Sequence, residues 1–188
     1  MIIRLVFIAL CLSRTAGSQE RFADLLLKDS LSFALPNDFV PVAVVANPDV
    51  RYQFAMKSKV AKAEIRYAIF PVMQSTSLWL ETICLNLSGG KACDVKRFPA
   101  QAVRTEFGAD DGWTSVTSLN SEFGRGYSYC MTNLIHKDRV ADVVIFILFD
   151  EMKVLQPLLF QDAVFHALKF KWVRSSAMGR LGIEPRTY

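Results

Sequence analysis

Alternating apolar and polar positions predict a β-hairpin in the first half of the chain. The segments VRYQFAMK (50–57) and AEIRYAIFPV (63–72) alternate with a period of two, and SKVAK joins them. The predicted inward residues are Val50, Tyr52, Phe54 and Met56 on the first strand, and Ile65, Tyr67 and Ile69 on the second. Glu64 and Arg66 face the opposite way, which is typical of a half-buried antiparallel pair.

Five further strands follow from the same kind of pattern. Residues 31–36 alternate, and residues 39–46 are rich in Val but contain Pro41, which suits an edge strand. Strands are also predicted over residues 113–119, 127–136 and 140–149. The last of these, in VADVVIFILF, is apolar on both faces, so we expect it to lie centrally and to be covered on both sides.

Helical periodicity appears in three places. Leu80, Ile83, Cys84 and Leu87 form one stripe of a helix within residues 75–90. A second, short helix is predicted within residues 98–112, and Gly108 ends it. Residues 155–170, LQPLLFQDAVFHALKF, carry a broad apolar stripe and predict a closing helix.

Strand-rich and helical segments alternate in an order that predicts an α+β fold, with an antiparallel sheet and helices packed on both of its faces. The segments LSFALPNDF, VRYQFAMK…AEIRYAIFPV and VVIFILFD…FHALKF together resemble the PsbP-like superfamily, an α/β/α sandwich named for a photosystem extrinsic subunit. The resemblance is one of topology and covers most of residues 31–171. It implies an accessory or binding domain without enzymatic activity, and it carries no site residue over to this chain.

The two ends of the chain differ from the domain between them. Residues 1–17 have a basic start, the apolar run LVFIALCL and small residues before Ser18, which predicts a cleaved signal peptide. An uncleaved anchor and a lipoprotein acylated at Cys11 are the alternatives. In the tail, residues 174–188, the string MGRLGIEPRTY resembles the spurious translation of a tRNA gene, and we expect this tail to be disordered.

The net charge of the predicted domain, without the signal peptide and the tail, gives no indication of a charged partner. The whole chain has 22 basic and 18 acidic residues, but residues 18–173, the predicted domain, have 17 of each. The sequence therefore predicts no nucleic-acid binding. It also predicts no stable membrane span after cleavage, and a periplasmic or secreted location.

The cysteines and histidines offer little chemistry. A disulfide between Cys84 and Cys93 is one expectation in an oxidising compartment, and a reduced Cys84 in the core is the other. Cys130 and His136 share a strand face but are separated by about 20 Å along it, which excludes a nucleophile–base pair. Neither zinc nor calcium spacing is present, and the pair Asp110 and Asp111 favours a solvated acidic turn.

The remaining candidate is aromatic. Trp113, Tyr127 and Tyr129 fall on successive strands and predict either a ligand groove or ordinary core packing. We expect an exported bacterial envelope protein that acts as a non-catalytic binding or accessory domain, with a protein or small-molecule partner and no cofactor. The alternatives are a periplasmic hydrolase or other enzyme, and a structural subunit of an envelope complex.

Two arrangements of side chains in the fold would distinguish an enzyme from a binding domain. The convergence of at least three of Asp110, Asp111, His136 and His166 in one cleft would favour an enzyme. An apolar groove that runs past Trp113 and Tyr129 would favour binding.

Overall fold

The computed structural model describes residues 21–48, 50–73, 76–159 and 161–171, with the backbone alone at residues 162 and 163. Both the predicted signal peptide and the predicted tail lie outside these ranges. The strands are β1 (Leu31–Phe33), β2 (Phe39–Val42), β3 (Phe54–Ser58), β4 (Ala63–Phe70), β5 (Lys96–Arg97), β6 (Asp111–Ser118), β7 (Tyr129–Lys137), β8 (Ala141–Phe149) and β9 (Leu168–Phe170). The helices are α1 (21–28), α2 (Thr76–Ser88), α3 (Ala100–Ala102, continued by a π-helical turn at Val103–Phe107), α4 (Ser121–Gly124), α5 (Met152–Leu159) and α6 (Asp162–Phe165).

A seven-stranded antiparallel sheet forms the middle of the fold. Its strand order is β2-β3-β4-β8-β7-β6-β5, so β8 is central and β2 is an edge strand. All nine residues of β8 are buried, which confirms the interpretation of its two apolar faces. The edge position of β2 likewise agrees with the proline at position 41.

Helices cover both faces of this sheet, as predicted for the fold class. On one face, α2 buries the predicted stripe of Leu80, Ile83, Cys84 and Leu87 and lies over β6 and β7. The short helix α4 adds Phe123 to the same core. On the other face, α1, α3, α5, α6 and the β1–β9 ribbon form a second core. None of the described helices has the length and hydrophobicity needed to cross a membrane.

The predicted closing helix is wrong in its second half. Met152–Leu159 and Asp162–Phe165 form two short helices, and Leu168–Phe170 instead form β9, which pairs with β1 in the register Leu31↔Phe170. Leu168 and Phe170 are buried while Lys169 between them is exposed, so the pattern here has a period of two. A three-residue alternation at the end of a helical stripe is too short to be distinguished from that stripe by sequence.

The first strand of the hairpin is shorter than predicted. It begins at Phe54, and Val50 and Tyr52 belong to the core beneath α2, whereas Phe54 and Met56 belong to the opposite core. The alternation therefore does not continue through Gln53, and the four residues do not share a face. Arg66, predicted to face outward, is buried because α4 covers that side of β4.

Candidate functional site

A cavity of about 650 Å³ lies between α1 and the segment of residues 44–53. Arg21 and Leu25 of α1 line one side, and Val44, Val50 and Arg51 line the other. This volume is within the range of small-molecule sites, which are commonly apolar with a few polar groups. Among the described lining residues, Arg21 and Arg51 place positive charge beside apolar side chains.

Hydrogen bonds fix the wall that residues 44–53 form. The Val45 N–H donates to Tyr52 Oη at 3.0 Å, and the Val50 N–H donates to Asn47 Oδ1 at 3.1 Å. The Gln53 side chain accepts from the Ile69 N–H at 2.8 Å and donates to the Ile69 carbonyl at 3.2 Å. Bonds of this kind hold an irregular segment in place, so the cavity is formed before any ligand arrives.

Arg66 supports the same wall from below. Its guanidinium lies 5.1 Å from the centre of the Tyr52 ring and 4.7 Å from the centre of the Phe123 ring. Nε donates to Glu64 at 2.6 Å and Nη1 donates to the Phe123 carbonyl at 2.9 Å. A buried guanidinium with these partners links β4, α4 and the cavity wall.

A separate polar cluster occupies one end of the sheet. Asp111 lies opposite His136 in the β6–β7 register, and the Asp110 N–H donates to the His136 carbonyl at 2.8 Å. Three of the four residues whose convergence would favour an enzyme therefore meet. They do not meet in a cleft, however, because none of the three lines any of the four main cavities of the described structure. His166 lies elsewhere, with Nε2 2.6 Å from Glu106 Oε2.

The acidic members of this cluster are engaged in ion pairs. Asp110 Oδ1 accepts from Lys137 Nζ at 3.0 Å, and Asp111 is paired with the Arg97 guanidinium. Burial raises the pKa of each carboxyl, but these partners and a backbone N–H outweigh it and lower both pKa values. The two carboxylates thus stay ionised and paired, which suits a structural role better than proton transfer.

His136 is held between two carboxylates. Nδ1 lies 2.6 Å from Asp142 Oδ1, and Nε2 lies 2.9 Å from Asp138 Oδ1. Asp142 is fully buried, and its second oxygen accepts the Met73 N–H at 2.7 Å. Burial lowers the pKa of His136, but the hydrogen bonds to Asp142 and Asp138 outweigh it and hold the pKa above its usual value.

Replacing His136 by Gln is expected to cost most stability at mildly acidic pH. The raised pKa means that the imidazolium pair is complete below about pH 6.5, the usual pKa of histidine, and is lost as pH rises through the folded-state value. Urea unfolding at pH 5.5 should show a loss of about 1–2 kcal/mol that shrinks by pH 8.5. Asp138→Asn, at an exposed partner, should cost less than about 0.5 kcal/mol at both pH values. A loss that is constant or grows with pH would contradict this assignment.

The cysteines divide into a bridge and a buried thiol. Cys84 and Cys93 form a disulfide, with Cα atoms 6.2 Å apart, that ties α2 to the segment before β5. Cys130 is free and buried. Burial raises the pKa of its thiol to about 12, so this side chain is a poor nucleophile. Among the described residues, no group of three or more His, Cys, Asp or Glu side chains is placed to hold a metal ion.

The three aromatic candidates do not form one groove. Trp113 pairs with Leu134 and packs on the α2 side of the sheet, where Arg97 lies 5.9 Å from its ring. Tyr129 pairs with Ser118, an odd number of positions along β6, so it lies on the opposite face and stacks on Phe149. Tyr127 is a buried member of the core beneath α2. The strands that carry Trp113 and Tyr129 are neighbours in the sheet, but the two side chains point to opposite faces of it.

Sequence reasoning missed the cavity residues. Arg51 lies at a polar position of the predicted alternating strand, and Arg21 lies before the first predicted strand, in a segment that carries no motif. The turn residues Asn47 and Pro48 were the available signal, since they predict an irregular segment at which a wall can form.

Comparison with known proteins finds similarity at the level of structure. No family model matches the chain, and no curated protein sequence matches it. The solution structure of cyanobacterial PsbP (CyanoP) from Synechocystis sp. PCC 6803 matches with a TM-score of 0.48 and 12% sequence identity, over 77% of this chain and 88% of that chain. No family and no function are transferred to this chain from that structure.

Proposed function

We propose that this chain is a non-catalytic binding domain that takes a small amphipathic anion into the cavity between α1 and residues 44–53. The observation that carries the proposal is the position of Arg21 and Arg51, beside apolar residues, on a cavity of about 650 Å³. Guanidinium groups bind carboxylates, sulfonates and phosphates through paired hydrogen bonds. The apolar residues beside them, such as Leu25 and Val44, would bury the hydrocarbon part of the same ligand.

Export to the periplasm or beyond is part of the proposal. It is supported by the signal-like pattern of residues 1–17 and by the disulfide between Cys84 and Cys93, because disulfides persist in oxidising compartments. A role as a structural subunit of an envelope complex is compatible with the same observations and has no separate feature in its favour.

An enzyme is the second candidate, and the His136–Asp142 pair is the observation that favours it. A buried carboxylate that orients an imidazole is the arrangement of a general base. Here, however, Nε2 faces the carboxylate of Asp138 rather than a hydroxyl or thiol. We therefore favour binding over catalysis.

Anilinonaphthalene sulfonate and phenyl-naphthylamine test the binding proposal, because the two probes share their rings and differ by the sulfonate. The folded chain is expected to bind the sulfonate probe in a saturable manner, followed by fluorescence. Arg51→Glu should weaken that binding at least about tenfold, since it replaces an attractive charge by a repulsive one. The affinity for phenyl-naphthylamine should change by less than about twofold, because apolar contacts carry it.

Arg104→Glu is the matched control, because Arg104 is exposed on the π-helical turn after α3 and does not line the cavity. It should leave the affinity for both probes unchanged. An equal loss in Arg104→Glu and Arg51→Glu, or no saturable binding of the sulfonate by the folded chain, would rule the proposal out.

A further inference from the structure

A second cavity, of about 380 Å³, lies at the other end of α1. Leu25 contributes to both cavities, but the remaining walls of this one come from the end of β4 and the β7–β8 turn. Ile69, Phe70 and Val140 supply apolar surface. Its polar residues are Lys28, Asp29 and Arg139.

Asp29 is the unusual member of this group. The residue is only 8% exposed, and within the described part of the chain its carboxylate has no hydrogen-bond or ion-pair partner. Its oxygen atoms are not among the fully buried side-chain atoms that lack a partner, so they reach the solvent of the cavity, where a ligand could meet them. Burial raises the pKa of Asp29, and the charge of Lys28 offsets this only in part.

The backbone adds negative potential at the same place. Asp29 directly follows α1, and its N–H donates to the Leu25 carbonyl at 2.9 Å. The carboxylate therefore lies at the carbonyl end of a helix, where the aligned peptide dipoles favour a positive charge. The carboxylate and the helix end together favour a ligand cation that also donates hydrogen bonds.

Lys28 and Arg139 place positive charge on the same cavity. Both are exposed, and neither has an ion-pair partner among the described residues. Arg139 has a positive φ of 60°, which the tight β7–β8 turn imposes and which fixes the position of its backbone at the cavity edge. A ligand in this cavity therefore meets one buried negative group and two exposed positive ones.

We propose that this second cavity binds a zwitterionic α-amino acid with an apolar side chain. Its ammonium group would donate to Asp29, its carboxylate would face Lys28 and Arg139, and its side chain would contact Leu25, Ile69 and Val140. Ligand binding then supplies the partner that Asp29 lacks. The volume of about 380 Å³ accommodates an amino acid of this size.

L-Leucine, isocaproate and isoamylamine test the site, because the last two each lack one charged group of the first. Titrations of the full folded chain followed by NMR should shift the amides of residues 28–30, 69–70 and 139–140. Leucine should bind at least about tenfold more tightly than either analogue, because only leucine pairs with both signs of charge. Asp29→Asn should weaken leucine and isoamylamine at least tenfold and leave isocaproate unchanged, whereas Arg139→Gln should weaken leucine and isocaproate.

Two controls keep the result interpretable. Asp24→Asn, at an exposed position of the same helix, should leave leucine binding unchanged, and so should Arg51→Glu, which acts on the first cavity. Asp29→Asn should melt no lower than the unaltered chain, because the carboxylate makes no hydrogen bond or ion pair with the described residues. Equal affinity for the three probes, shifts confined to the first cavity, an absence of saturable leucine binding, or full leucine affinity in Asp29→Asn would each overturn the proposal.

Discussion

Replacing Arg66 by Met is expected to lower the free energy of unfolding by about 3 kcal/mol, because it removes a buried cation from fixed partners. The side chain is 3% exposed, and its loss leaves the Phe123 carbonyl and Glu64 without their donor. It also removes the guanidinium between the Tyr52 and Phe123 rings. Urea denaturation followed by Trp fluorescence measures the change.

Two further variants separate charge from packing. Glu64→Gln combined with Arg66→Met should recover part of the loss, since no unpaired carboxylate remains. Arg104→Met, at an exposed arginine, should change stability by less than about 0.5 kcal/mol. A loss below about 1 kcal/mol in Arg66→Met would show that the guanidinium does not hold α4 on the sheet.

Replacing Cys93 by Ser is expected to cost about 2–3 kcal/mol, because opening a short covalent loop restores entropy to the unfolded chain. Cys93 is half-buried, so the substitution itself disturbs little packing. Reductant should destabilise the unaltered chain by a similar amount and should leave Cys93→Ser unchanged. A variant that is as stable as the unaltered chain would contradict a stabilising bridge.

The number of free thiols connects this bridge with export. The sequence has four cysteines, of which Cys11 belongs to the predicted signal peptide. Alkylation under denaturing conditions and intact mass should therefore find one free thiol, Cys130, in a processed and oxidised chain. An oxidised chain that retains residues 1–17 would show two, and a reduced unprocessed chain would show four, which would contradict export with cleavage.

Periodicity in the sequence predicted the elements with many repeats of their pattern. The unbroken apolar run from Val143 to Leu148 predicted that β8 is central, and four residues on one stripe predicted α2. Both predictions are confirmed. These patterns are local consequences of the side-chain period of each element, so no tertiary contact is needed to see them. The layer arrangement then followed, because a strand that is apolar on both faces needs cover on both sides.

Short elements could not be predicted from the sequence, because the residues that stabilise them are distant along the chain. The pairing of β9 with β1 depends on residues at opposite ends of the domain, and α4 depends on Asn120, whose side chain accepts from the Phe123 N–H at 2.8 Å. Four residues with one side-chain hydrogen bond leave too little periodicity to identify a helix.

The candidate sites were harder still. Neither Arg51 nor Asp29 belongs to a sequence motif. Each lines a cavity whose walls come from segments that meet only in the folded chain. Asp29 in sequence is an ordinary acidic residue after a helix, and only its burial without a partner makes it a candidate for ligand contact. In the same way, Trp113 and Tyr129 were grouped as candidates because they are predicted on successive strands. The fold places them on opposite faces of the sheet.

The two strands of the β1–β9 ribbon are synthesised at different times. Leu31 pairs with Phe170, so β1 cannot pair with β9 until 139 further residues have been synthesised. At the usual rate of translation this takes roughly 10–30 s. Throughout that interval Phe22, Phe33 and Phe54, which finally pack together in the core, lack the strand that closes over their side of the sheet. Until β9 is available, these aromatic side chains therefore lack part of the cover that they have in the finished fold.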